Sequence, residues 1–315
     1  MVDFDGFNYI NARVHFNASS CVHLGKYVSV ASNVEFGDNT ITLNKNTQTG
    51  KIDIQRDTWI GANVHLEDNT IVGAGSLIAM GSIVVSNTIL KPNYISYGNP
   101  CTEHKAIPDD YKTHIKKPLK EGIRTDEEIK KIIAHMRKLG IKGDLEQYIR
   151  AITYKKYNTI ELTMAKIYEL SHRLCSEYNS PNTSPERRKK ILEMLIPLHG
   201  KNIIMGEDLF VDCIGTVKIG DNFIGGDGLT LAGNVTIGDD VRVGNNVTLQ
   251  TTGHEINPKW RRINGLYVNK QIQLCEVSTP GFIIVKDGIV LADGTMVIPD
   301  KIVKRDTEKG ELFIR

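Results

Sequence analysis

The residue in this 315-residue chain best suited to moving a proton is His254, in the run Thr252-Gly253-His254-Glu255. An imidazole titrates near neutrality and is the side chain most often used as a general base. His254 stands where a regular aliphatic rhythm breaks after Leu249, at the root of an irregular segment carrying Pro258, Trp260, Arg261 and Arg262. The rhythm returns at Ile272 and Leu274. Loops thrown out of rigid scaffolds commonly carry chemistry. A base there would take the proton of an attacking hydroxyl, a contribution of ~10²–10⁴-fold in rate. The plainer reading is a surface histidine in a loop, and the residues alone leave both open. A metal hydratase needs three histidines converging on one ion. His15, His23 and His65 lack such spacing, and no metal site is expected.

The elements that must position such a residue are set by a six-residue repeat. Ile54, Ile60, Leu66, Val72, Ile78 and Val84 fall six apart, often followed by a small residue such as Gly61, Gly73 or Ala79; Leu24, Val30 and Phe36 begin the rhythm upstream. A second array has Ile219, Ile237, Val243 and Leu249, with Leu291 and Val297 after them. A period of six fits neither one amphipathic helix nor one strand. It counts the faces of a coil: three short strands per turn, the aliphatic inside and the small residue letting the chain turn at each corner. Each coil then buries its face only against its neighbours. Ordinary hairpins would instead need turn signals every 8–12 residues.

Between the arrays the hexads stop after Pro108-Asp109-Asp110 and helical signals take over. Thr125-Asp126-Glu127-Glu128 reads as a capping box opening a stripe of Ile129, Ile132, Ile133, Met136 and Leu139 that Gly140 ends. A short helix is predicted from Asp144, a third carrying Ile160, Met164, Ile167 and Leu174, and a fourth opened by Ser184-Pro185. Their dry faces should pack on the second array. Lys+Arg of 39 against Asp+Glu of 37 gives a net charge of +2, which argues against nucleic acid or a membrane surface as partner. No signal peptide or membrane span is legible near the acidic start. Five scattered cysteines suit reduced thiols and a cytoplasmic setting. No mononucleotide-binding glycine loop is visible.

The stretch from about Gln147 to Leu274 resembles the galactoside and maltose O-acetyltransferases of the hexapeptide-repeat family. The resemblance is carried by Leu174-Cys175-Ser176-Glu177-Tyr178-Asn179, Ser184-Pro185-Glu186-Arg187-Arg188, Thr252-Gly253-His254-Glu255 and Asn264-Gly265-Leu266-Tyr267. It implies that His254 is the catalytic base, taking the proton of a sugar hydroxyl as that oxygen attacks the thioester of acetyl-CoA. It also implies that Asp212 contacts the acceptor sugar, and that Asn158, standing where the family has an aspartate, reaches the acceptor from a neighbouring subunit. The family's further asparagine is missing, since Phe223-Ile224-Gly225-Gly226-Asp227 runs one residue short.

Residues 50–107 resemble the cofactor end of the same family's prism, through Asp57-Thr58-Trp59-Ile60-Gly61-Ala62, Val72-Gly73-Ala74-Gly75-Ser76 and Tyr97-Gly98-Asn99-Pro100-Cys101. By that likeness Ala74, Ser76, Gly98 and Pro100 would line the coenzyme A groove, Trp59 would lie beside the pantetheine arm and Lys105 near the nucleotide phosphate. Thr102 replaces the family's usual cation after this loop. No histidine occupies the loop before Ile54, and no Gly-Asn-Pro run follows Val297. The parts missing from each array are present in the other.

The expected fold is mainly β: two left-handed parallel β-helix domains, residues 1–110 and 201–315, joined by a helical segment and cap over 111–200. The family likeness implies a homotrimer. The expected activity is acetyl-CoA-dependent O-acetylation of a sugar or saccharide hydroxyl. The rival readings are a non-catalytic β-helix that binds a ligand or holds an assembly, and a nucleotide-sugar N-acetyltransferase; the helical cap over Tyr157 to Ile196 favours the hydroxyl.

Overall fold

The computed structural model describes residues 1–315 except 12, 18–20, 38–49, 111–123, 156, 160, 255, 259–265, 270, 271, 275, 276, 282, 286–288, 293, 294, 298–300, 314 and 315; between 252 and 284 the strands, Ile283 apart, are described by backbone alone. The chain divides into two compact units, one of Met1–Thr113 with His254–Gly265, the other of His114–Gly253 with Leu266–Arg315. Each unit contains one hexapeptide-repeat β-helix, as the sequence led one to expect.

In the first unit three parallel sheets form the faces. One runs through Val2–Phe4, Cys21–Leu24, Lys51–Ile54, Thr70–Val72 and Ile89–Leu90. The third stacks His15–Phe16, Glu35–Phe36, His65–Leu66 and Ile83–Val84. The remaining face stacks Tyr9–Ile10, Ser29–Val30, Trp59–Ile60, Leu77–Ile78 and Tyr94–Gly98 in parallel, and Cys101–Ala106 closes it antiparallel as a hairpin. Ile54 pairs with Val72 and Val72 with Leu90, eighteen residues or three hexads per coil. Every hexad aliphatic from Leu24 to Val84 is at most 1% exposed. They form one interior column, with Phe16 and Phe36 stacked 5.0 Å apart at its start.

The corners differ from the expectation. The residue directly after the aliphatic does not make the turn. The left-handed conformation falls three residues after it, at Asp57, Asn63, Asn69, Gly75, Gly81, Asn87 and Asn93, all with φ between 55° and 72°. Asn, Asp and Gly are the residues that tolerate this region. Gly61 and Gly73 are small for another reason: a Cβ on Gly61 would lie 2.6 Å from the Met80 amide nitrogen, and one on Gly73 2.6 Å from the Lys91 carbonyl carbon. Close approach of successive coils excludes a side chain there.

The second unit repeats the plan with sheets starting at Leu198–His199, Ile204–Met205 and Phe210–Val211. Its corners at Asn222, Asp240 and Asn246 again follow an aliphatic by three, and Gly228 follows Gly225, which stands at the same hexad position, by three. Val217 pairs with Val235 at the eighteen-residue spacing, whereas Leu249 pairs with Val285, a spacing of 36. The extra length is the irregular segment after Leu249. Among the described residues, four helices precede this β-helix. α1 (Asp126–Lys138) carries the expected capping box, Thr125 and Glu128 each bonding the other's backbone N–H. α2 (Glu146–Ile152) starts two residues later than predicted, because Asp144 Oδ1 accepts the Glu146 N–H at 2.9 Å as a turn before the helix. α3 (Leu162–Tyr178) buries Met164, Ile167 and Leu174, the predicted Ile160 lying outside the described residues. α4 (Pro185–Leu195) is capped by Ser184. Their buried faces join the aliphatic column in one core, and the Tyr148 hydroxyl donates to the Ile214 carbonyl at 2.7 Å.

Candidate functional site

The cofactor-like residues of the first unit gather on one face and its closing hairpin. Trp59, half-buried, pairs in register with Ser29 and Leu77; Leu77 pairs with Ile95, and Ile95 with the exposed Lys105. Gly98 and Pro100 are exposed at the hairpin tip, Gly98 with φ 113°. Ala74 is half-buried, its N–H donating to Gln55 Oε1 at 3.1 Å. Ser76 departs from the expected groove lining. Its side chain is fully buried, its hydroxyl donates to the Lys91 carbonyl at 2.8 Å and accepts the Tyr94 N–H at 3.2 Å, and its carbonyl accepts the Trp59 N–H at 2.9 Å. A serine whose polar atoms all serve coil-to-coil bonds holds the wall up from inside.

Two features of the hairpin were not foreseen. Tyr97 and His104 stack with centroids 3.5 Å apart and planes at 10°, and His104 Nε2 lies 3.0 Å from the Tyr97 carbonyl oxygen and 3.2 Å from Thr102 Oγ1. Thr102 thus supports a ring where the family places a cation. The alternation Thr102, His104 beside Tyr97 was the available signal. Burial pushes the Cys101 thiol up to about 11, which leaves it a packing residue.

His254 ends the strand Thr252–His254, which lies beside Leu266–Asn269, and that strand in turn pairs antiparallel with Tyr157–Asn158. The Asn158 N–H donates to Gln147 Oε1 at 2.8 Å. From His254 the chain counts with the first unit. There Asn257 is buried and its Nδ2 donates to the Asp109 carbonyl at 2.6 Å. Pro258 Cγ stands 3.2 Å from where a Cβ of Gly75 would be. Ala74 and Ser76 flank that glycine. Trp260, Arg261 and Arg262 lie outside the described residues.

Asp212 follows the strand Phe210–Val211 in the second unit and is 1% exposed. Its N–H donates to the Leu231 carbonyl at 3.0 Å, and its Oδ1 faces Nε2 of His172 at 3.6 Å. In the run that lacks the family asparagine, a Cβ on Gly226 would lie 2.6 Å from the Gly244 carbonyl carbon. The metal reading finds no support among the described residues, where no three His, Cys, Asp or Glu side chains converge. His23 bonds Asp53 and Asp5, and His65 bonds Glu35, each on an outer face of the first β-helix. No helix among the described residues is long and apolar enough to cross a membrane.

No family model matches the chain. Its sequence is 25% identical over 142 residues to galactoside O-acetyltransferase of Escherichia coli, covering 44% of this chain and 66% of that one. It is 26% identical over 174 residues to galactoside O-acetyltransferase of Lactococcus lactis, covering 50% and 83%. The chain thus spans just under two thirds of the first relative's length. A solved galactoside acetyltransferase in complex with coenzyme A is similar over 53% of this chain and 84% of its own, at 20% identity and a TM-score of 0.46. Hexapeptide-repeat acetyltransferases are the class to which the repeat pattern points, and the sequence relatives bear this out. Within that class the chain is similar to galactoside O-acetyltransferases.

Proposed function

We propose that the chain transfers an acetyl group from acetyl-CoA to a hydroxyl of a sugar or saccharide, with His254 as general base. The observation that carries this reading is that Pro258, in the segment that counts with the first unit from His254 onward, stands 3.2 Å from where a Cβ of Gly75 would be.

The residues there suit the cosubstrate. Trp59 offers an apolar ring for the pantetheine arm, Gly98 and Pro100 an open hairpin edge, and the exposed Lys105 a cation for phosphate. In the reaction His254 takes the proton as the acceptor oxygen bonds to the acetyl carbonyl carbon. The bond from that carbon to sulfur breaks, and the imidazolium returns the proton to the departing sulfur. The products are an acetyl ester and free thiol. Asp212 and Asn158 are assigned to the acceptor, and the assembly is a homotrimer, both by analogy with the galactoside O-acetyltransferases.

A second reading, a β-helix that binds a ligand without turnover, is favoured by the loss of the family's acceptor asparagine from the run Phe223-Ile224-Gly225-Gly226-Asp227. Thiol release from acetyl-CoA across a panel of sugars and nucleotide-sugars, run beside His254→Ala, separates the two. Acceptor-dependent release that falls at least ~10²-fold in the variant is expected. Release that survives in the variant sinks the role of His254. Acetyl-CoA binding without release for any acceptor favours the scaffold. Release with amino sugars alone would replace the ester by an amide.

A further inference from the structure

We infer that His172 is a positioning residue for Asp212, its imidazole facing this buried carboxylate and holding it aimed for an acceptor hydroxyl. The acceptor role of Asp212 rests on the function proposed above; the pairing of the two side chains rests on geometry alone. α3 is fastened to the strand Phe210–Val211 at successive turns. Asn179 Nδ2 donates to the Leu209 carbonyl at 3.0 Å while its Oδ1 accepts the Leu209 N–H at 3.0 Å. One turn back, the Val211 N–H donates to Cys175 Sγ at 3.3 Å. A further turn back, Ser171 Oγ donates to the Val211 carbonyl at 2.7 Å. These bonds fix the rotation of α3 and bring His172 over Asp212.

The imidazole packs against Phe210 at 5.2 Å and Tyr168 at 6.4 Å between centroids, with Nε2 pointing to Asp212 Oδ1. The Asp212 side chain is 2% exposed and that of His172 is 37% exposed. The two facing atoms are both sealed from solvent, and neither has a hydrogen-bond partner. At 3.6 Å the two atoms are within ion-pair reach and beyond hydrogen-bond distance. A carboxylate so enclosed is costly to ionise unless a cation compensates it. The other groups nearby do not. Tyr168 meets the Tyr157 hydroxyl at 3.0 Å, and the Cys213 thiol, pushed well up by burial and then by the Asp212 charge, stays neutral. Arg173, the next residue of α3, acts on Glu177. The exposed Glu169, one turn back, carries the wrong sign.

If His172 only filled space, glutamine would replace it. If its charge matters, glutamine fails and lysine restores part of the function. The test uses the full chain in two arms. In the first, the ring-nitrogen chemical shifts of His172 are compared by nitrogen-edited NMR at one fixed pH in the wild type and in Asp212→Asn, an isosteric change. The shifts should move in the variant, and unchanged shifts overturn the inference. In the second arm, acetyl transfer is followed against acceptor concentration and pH. His172→Gln should raise the acceptor KM roughly tenfold, as expected for loss of one charge-assisted contact, with a smaller fall in kcat and a flattened pH dependence of KM. His172→Lys should recover most of that loss. Wild-type KM and pH profile in His172→Gln, or no recovery by lysine, also overturn it. A wild-type chain that releases no thiol with any acceptor sinks the acetyl-transfer reading instead, and the NMR arm still decides the pair.

Discussion

The two β-helices share a six-residue period and a left-handed residue at each corner, yet they hold successive coils together differently. In the second, a glycine in one coil leaves space for a carboxylate or amide of the next, which accepts the N–H directly after the glycine. Asp221 accepts from Lys201, Asp239 from Asp221, Asp227 from Glu207 and Asn245 from Asp227, all between 2.7 and 2.9 Å. Gly200, Gly220, Gly206 and Gly226 supply the space. The first β-helix has no such ladder among its described residues. Gly61 and Gly73 meet backbone instead, and its side-chain links between coils are scattered: the Ala74 N–H donates to Gln55 Oε1, the Ser86 N–H to Glu67 Oε2 and the Ser76 hydroxyl to the Lys91 carbonyl, beside imidazole–carboxylate pairs on the outer faces. One period thus supports two ways of stitching, and glycine serves each for a different reason.

The largest effect expected from breaking this difference is at Gly220. A Cβ there would meet the Gly238 carbonyl carbon at 2.6 Å and crowd the Asp239 carboxylate, so Gly220→Ala both overpacks the corner and displaces the bond to Asp221. Overpacking of this kind costs about 1–3 kcal/mol, and the second unit should melt correspondingly earlier in calorimetry of the full chain. Asp239→Ala, which removes the acceptor while leaving the corner free, should cost less, about 1 kcal/mol for an exposed charge-assisted bond. The pair of changes should cost less than their sum, because each removes the same bond. Strict additivity would mean that the glycine serves only the backbone approach, as Gly73 does, and the distinction between the β-helices would fall.

Much of this was legible in advance, and the limits have physical causes. The aliphatic column from Leu24 to Val84, the capping box at Thr125 and the N-cap at Ser184 are local patterns, and local patterns survive folding here. The corners were misplaced because the residues that take the left-handed turn, such as Asn63 and Asn69, look in sequence like ordinary polar surface. The small residue beside each aliphatic was the more conspicuous signal. Ser76 appeared free to line a groove because nothing local reveals that its hydroxyl is committed to Lys91 and Tyr94. His172 was invisible for a stronger reason: its partner is forty residues away, and only the bonds from α3 to the strand at Phe210 bring the two together.

The smallest effect, and the one that isolates the stitching of the first β-helix, is the pH response of His23. Its Nδ1 lies 2.6 Å from Asp53 Oδ1 and its Nε2 3.1 Å from Asp5 Oδ2, so one imidazole bridges three successive coils. The hydrogen bond to Asp53, together with that to Asp5, holds its pKa above the ordinary 6.5 against the opposing effect of burial. A pKa raised in the folded state means that the protonated imidazole stabilises the fold. That contribution is complete below 6.5, the value for an unfolded chain, and is lost as pH rises through the higher folded value. With the ring about a quarter exposed, the contribution should stay within the ~1 kcal/mol usual for surface pairs. The melting temperature of the first unit should therefore fall between pH 6 and pH 8 by more in the wild type than in His23→Gln. The second unit, whose ladder uses backbone N–H groups that do not titrate, should be indifferent to this substitution at both pH values. Equal slopes in wild type and variant would show that the first β-helix does not depend on its imidazole bridge.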